Sequence, residues 1–200
     1  MRKLTITSLM VLALVAGTMG SANGQSDGIT ESPDGQEAVK VYYTEAEALA
    51  KVFAKADSLW TETWQPSAEE IKSVEQRLGW RVAPESVVVH RARRGDKDLG
   101  YAVITEEVGR FKPITFLVQV SARGQVEMVL VMVYRESRGD GVKRQRFLKQ
   151  FRQKDTESHL RLNRDVVGVS GATMSSRGIT MGVKRVLALI DLRYGQEAGP

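Results

Sequence analysis

The sequence predicts an α+β domain in which an antiparallel sheet packs with helices. Three observations point there. Residues 86–134 hold four runs rich in β-branched residues, separated by turns short enough to favour antiparallel pairing. Two helix-start signatures stand ahead of these runs. One long apolar helical pattern follows them. The composition, 42% hydrophobic and 26% charged, is that of a folded domain with a core.

The chain begins with Met1-Arg2-Lys3, then an apolar stretch from Leu4 to Gly17, then the small residues Gly20, Ser21, Ala22 and Gly24. That order is a secretory signal peptide over residues 1–24, so the protein is expected to be exported, periplasmic or extracytoplasmic. An uncleaved N-terminal anchor is the alternative. Residues 25–40 are rich in Gly, Ser, Asp, Pro and Gln without an apolar period and read as a flexible tether.

Residues 41–84 read as a helical region. Thr44 with Glu47 forms a capping-box pair, and Leu49, Val52, Phe53, Ala56 and Leu59 or Trp60 follow at helical spacing. Ser67 with Glu70 repeats the signature, with Ile71, Val74 and Leu78 as the stripe and Gly79 as the stop. Strands are expected at Ser86–Ala92, Tyr101–Val108, Pro113–Ser121 and Val126–Tyr134. The turns fall at Arg94-Gly95-Asp96, at Gly109 and at Ala122-Arg123-Gly124. Residues 134–141 form a polar loop. Lys143–Gln153 reads as a basic amphipathic helix using Phe147, Leu148 and Phe151. Ile179, Val183, Val186, Leu187 and Ile190 line one face of a final helix, with Ser175 or Ser176 as its cap and Arg193 and Gly195 at its end.

The chain has no cysteine, which excludes disulfides, thiolate-held iron–sulfur clusters and c-type haem attachment. His90 and His159 are far apart and read as surface or turn residues, not as a metal site. Trp60, Trp64 and Trp80 read as packing residues. The net charge is +5, and removal of residues 1–24 takes Arg2 and Lys3 and no acid. Seven basic residues between Arg138 and Lys154 face Asp140 alone, a run that suits phosphate, an acidic partner or a solvated helix face. The run lacks interleaved aromatic residues of the kind that bind nucleic acid, which is not an expected partner.

The string Val169-Ser170-Gly171-Ala172-Thr173-Met174-Ser175-Ser176 is small, hydroxyl-rich and placed just before a helix. A helix start offers unpaired N–H groups and a positive dipole end, a natural seat for phosphate. Gly178 and Gly182 share one face of that helix, each costing about 1 kcal/mol against alanine. The residues leave two readings open: close approach of a backbone or flat ligand, or an ordinary cap with a tight helix contact.

The string Ser170-Gly171-Ala172-Thr173-Met174-Ser175-Ser176 resembles the flavinylation motif of FMN-binding domains. These include subunits of the sodium-pumping NADH:quinone reductase and the Rnf complex, and small exported single-domain relatives. The likeness extends back through Gly109–Phe116, Val133–Ser137, Phe147, Gln150-Phe151 and Arg164-Asp165-Val166, and implies an FMN-binding domain over residues 85–195 with the flavin at the start of the C-terminal helix. It implies FMN esterified through its phosphate to Thr173. Ser170, Gly171, Ala172, Ser175 and Ser176 would line the cofactor, with Glu136, Ser137, Arg138 and Gly139 in a loop beside it. The family often carries aspartate six residues before the threonine. Here that position is Val167, with Asp165 two residues earlier.

A threonine hydroxyl needs a base to act as a nucleophile, and no histidine adjoins Thr173. The resemblance accordingly implies attachment by a separate magnesium-dependent flavin transferase of the ApbE type, with FAD as donor. The expected role is that of an electron carrier rather than an enzyme with its own substrate. No nicotinamide fingerprint is present, so a membrane or periplasmic redox protein would exchange electrons with it. The alternatives are a binding module that has lost flavin, or a flavin reductase acting on a small acceptor such as a quinone.

Overall fold

A computed structural model describes residues 39–83 and 86–195 of the chain. The expected signal peptide, and the tether through residue 38, lie outside the described residues. Alternating apolar runs with short turns between them give β3 (Val87–Arg94), β4 (Lys97–Val108), β5 (Pro113–Val120) and β6 (Val126–Tyr134), and β2 (Ser58–Trp64), separated from β3 in the chain by a helix, pairs with it along the sheet edge. A two-residue strand, β1 (Lys40–Val41), closes the far edge against β6. The order is β1-β6-β5-β4-β3-β2, and every neighbouring pair is antiparallel. With four α-helices among the described residues around this sheet, the fold is α+β.

The two-residue period of a strand sends alternate side chains to opposite faces. Tyr101, Val103, Phe116, Val118, Val129 and Val131 face one core, which the C-terminal helix α4 (Thr173–Tyr194) fills with Ile179, Val183, Val186 and Ile190. Ala102, Leu117, Leu130 and Met132 face the other, covered by Leu49, Val52 and Phe53 around α1 (Glu45–Val52). Helix α2 (Ala68–Leu78) packs on the outer side of α4 through Ile71, Val74 and Leu78 against Ala188 and Leu189. Both capping boxes form as expected, and Gly79 ends α2 in the left-handed conformation.

Several expectations are corrected. The helix after Thr44 stops at Val52; Leu59 and Trp60 belong to β2, whose seven residues all pair with β3. The stretch 41–84 is therefore not purely helical. The spacing from Phe53 to Trp60 imitates a helix, but Asp57 already donates its N–H to Arg93 O at the sheet edge. Lys40, placed in the tether, is in β1. The helix expected over Lys143–Gln153 is interrupted. Arg144 is extended (φ −67°, ψ 139°) and separates a 3₁₀ turn at Asp140–Lys143 from a four-residue helix, α3 (Gln145–Leu148), with a second 3₁₀ turn at Lys149–Phe151. Its apolar residues Phe147, Leu148 and Phe151 are buried as expected. His90 is not at the surface. It sits buried on β3, its Nδ1 3.0 Å from Thr61 Oγ1, and burial lowers its pKa. His159 is exposed. The tryptophans are half-buried beside cations: Trp60 beneath Arg91 and Arg93, Trp80 beneath Lys184, Trp64 beneath Arg193.

Candidate functional site

The motif reaches the end of the sheet because the chain after Phe151 turns back across it. Gln153 and Lys154 exchange backbone hydrogen bonds with Val126 at the start of β6. Asn163 then donates to Val166 O, and Val166 is fully buried. Gln150 fixes the next step through its side-chain amide. Its Oε1 accepts from Val167 N at 2.8 Å and its Nε2 donates to Val167 O at 3.0 Å. Asp165 is exposed and occupied locally, accepting from Arg161 N and Nε; the hydrogen bond from the Arg161 backbone holds its carboxyl below the usual range.

Gly171 follows with φ +74°, a conformation that favours glycine. Ala172 is the N-cap, and Thr173 is the first residue of the helix and exposed. Neither Ser175 nor Ser176 caps it, contrary to expectation: no side chain caps this end. Both serines lie buried inside the first turn because their hydroxyls are drawn to neighbouring loops. Ser176 Oγ accepts from Val169 N at 3.0 Å. Ser175 Oγ lies 3.1 Å from the Tyr134 hydroxyl, which donates to Arg138 O at 2.6 Å. A phenol has one proton and a carbonyl can only accept, so Ser175 is the donor to Tyr134.

Three loops thus meet at the start of α4. Glu136 is 6% exposed, and its Oε1 accepts from Phe111 N at 2.6 Å and Lys112 N at 3.0 Å. A Cβ on Gly109 would stand 2.8 Å from that carboxylate and 3.3 Å from Ser175 Oγ, so glycine permits the contact. A Cβ on Gly139, where φ is +88°, would meet Ala172 Cβ and the Tyr134 hydroxyl, both at 2.9 Å. Of the residues singled out from sequence, Glu136, Gly139, Ala172 and Ser175 are brought together. Ser137, Arg138, Ser170, Gly171 and Thr173 are on or near the surface of the same region, and Ser176 is turned to Val169. Gly109 and Tyr134, which tie these loops, were not singled out as site residues. The signals available were a glycine at a strand end and a tyrosine closing an apolar strand, both common for other reasons.

Cleft volumes of about 220 Å³ beside Arg77, His159 and Lys184, and about 380 Å³ beside Val87, Val103 and Val186, lie away from residues 170–176. Around the helix start stand Val108, Phe111, Val167 and Met174, all exposed large apolar side chains, with Phe111 at 73%. Arg110 lies over the Phe111 ring at 4.8 Å. Among the described residues no His, Asp or Glu cluster could hold a metal, and no helix is long and apolar enough to cross a membrane.

Glu136 gives the site its first prediction. Glu136→Ala removes the acceptor of two backbone N–H groups, at a cost of about 2–3 kcal/mol. Amide hydrogen exchange at Phe111 and Lys112 should accelerate, with Glu136→Gln intermediate. Unchanged exchange at both amides in the alanine variant would show that the carboxylate does not hold this loop.

Residues 109–188 match the family model of the FMN-binding domain. They run from the Gly109 turn through β5, β6, the Glu136–Gly139 loop and the motif to the last turns of α4. No curated protein matches the chain.

Proposed function

We propose, on the match of residues 109–188 to the family model of the FMN-binding domain, that the chain carries FMN esterified through its phosphate to Thr173 Oγ1 and serves as an exported electron carrier. Thr173, an exposed hydroxyl-bearing residue at the uncapped start of a 22-residue helix, carries this reading. Helix N–H groups and dipole favour the phosphate there without a dedicated base. This suits attachment by a separate transferase of the ApbE type. The residues fit the group in two further respects. Gly171 has no atom within 4 Å of where a Cβ would stand, which leaves the approach to Thr173 open. The exposed Val108, Phe111 and Met174 offer an apolar surface to a flat ring.

When bound, FMN supplies reversible one- and two-electron chemistry. The chain's own residues hold and surround it. Tyr134, Ser175 and Glu136 fix three loops against one another, so the mouth is built before a ligand arrives. Arg138 and Arg177, the latter one turn beyond Thr173, put positive charge near the attachment point. Positive charge there favours added electron density.

The test is the intact mass of the protein exported by its native host. The expected result is an increment equal to FMN minus water on a chain shortened by its signal peptide. A mature chain without that increment would overturn the carrier reading in favour of a flavin-free binding module. A full-length cytoplasmic chain would overturn export.

A further inference from the structure

Between Arg135 and Arg177 the chain holds eleven Lys and Arg against five Asp and Glu. All five acids are engaged. Glu136 binds the Phe111 and Lys112 amides, Asp140 binds Lys40 and Lys143, and Asp155 caps its own turn at Ser158. Glu157 pairs with Arg77 and Asp165 with Arg161. Arg138, Arg144, Arg146, Lys149, Arg152, Lys154, Arg164 and Arg177 form no ion pair among the described residues. Seven of these are exposed and Lys154 is half-buried.

The fold places this charge beside the motif. Gln150, next to Lys149, holds Val167 through two hydrogen bonds. A Cβ on Gly141 would stand 3.1 Å from Val169 Cγ1, and Gly139 abuts Ala172. Arg177 follows Thr173 by one helical turn. The exposed apolar residues around the helix start thus border a stretch in which eight of the eleven cations form no ion pair among the described residues.

We infer that this basic face docks an acidic protein that exchanges electrons with the flavin. The inference rests on the flavin reading above. Unpaired surface cations raise the local concentration of an oppositely charged partner and steer its approach, an effect that salt suppresses. The broken 140–151 segment favours a protein over a lipid surface. Its apolar residues Phe147, Leu148 and Phe151 are buried, so it presents charge without the apolar stripe of a membrane-lying helix.

The first arm uses protein without flavin, so its outcome is independent of loading. A fluorescent poly-glutamate peptide is titrated by anisotropy against wild type, Arg144→Glu/Lys149→Glu and Arg94→Glu/Lys97→Glu. The two variants change net charge equally, but Arg94 and Lys97 lie at the β3–β4 hairpin. The expected result is binding by wild type that weakens about tenfold between about 0.02 M and 0.2 M salt. The Arg144/Lys149 variant should lose about tenfold at low salt, with less than about twofold loss at the hairpin. Equal losses in both variants would overturn the inference. So would sedimentation of wild type with phosphatidylglycerol vesicles but no binding of poly-glutamate, which would assign the face to a membrane.

The second arm uses loaded protein, its flavin verified by mass and reduced with dithionite. Two ferricyanide ions each take one electron from the reduced flavin, which releases two protons. Oxidation by ferricyanide should slow severalfold in the Arg144/Lys149 variant and with salt, while oxidation by cationic hexaammineruthenium(III) should show neither effect. Identical behaviour of the two oxidants would overturn the inference and leave the flavin assignment intact.

Discussion

Replacing Thr173 with alanine is expected to abolish covalent flavin while the domain stays folded. Thr173 is an exposed residue and its hydroxyl caps nothing, since the N-cap is Ala172 and no side-chain hydrogen bond caps this helix end. Losing it costs at most about 1 kcal/mol, even by the standard of a true cap, against a typical domain stability of about 5–15 kcal/mol. Neighbouring hydroxyls cannot take over. Ser175 Oγ is buried against Tyr134 and Ser176 Oγ is buried against Val169 N. Ser170 is exposed but lies three residues before the helix begins. The measurement is flavin fluorescence on a denaturing gel after co-production with a flavin transferase. Thr173→Ser, which keeps a hydroxyl, is the companion. A fluorescent band in Thr173→Ala would assign the attachment elsewhere. A dark wild type would remove the covalent carrier.

The second large effect is expected in the core. A Cβ on Gly182 would run into Cζ of the fully buried Phe116 ring and stand 2.9 Å from Glu107 Cγ. Glu107 is itself held by Arg185 at 3.0 Å. Gly182→Val should therefore destabilise the domain by about 3 kcal/mol, as overpacking of a closed core does. Gly182→Ala should cost about 1–2 kcal/mol, because its better helix propensity returns about 1 kcal/mol. Phe116→Leu removes the Cζ atom. In that background Gly182→Ala should be neutral or stabilising, a non-additivity readable from urea midpoints. Additive losses would mean that the ring is not what excludes a side chain at residue 182.

That contact also settles what the glycine pair on α4 means. From sequence, Gly178 and Gly182 fitted either a bound flat ligand or a close neighbour. Gly178 faces Val108 O, 2.9 Å from where its Cβ would stand, and Gly182 faces Phe116. Both serve helix-on-sheet packing.

The strands from Val87 to Tyr134 were legible because each is bounded by a turn and faces a core on at least one side. Strand β2 was not. It is an edge strand whose apolar residues are half-buried at most, and Leu59 and Trp60 continue a helical count by coincidence. Charge and three buried apolar residues made 143–153 resemble one helix, but nothing local announces the extended Arg144. The motif was legible because it is contiguous. The network of Gly109, Tyr134, Glu136 and Ser175 joins three separate segments, and such a meeting leaves no local signature.

The clamp made by Gln150 bears on how the sequence is free to drift. It reads residue 167 only through backbone N–H and C=O, groups that every residue except proline supplies, while the Val167 side chain is 71% exposed. Valine and aspartate are therefore interchangeable there as far as folding is concerned. A requirement for one particular side chain at residue 167 would come from what meets it from outside, not from the domain that displays it.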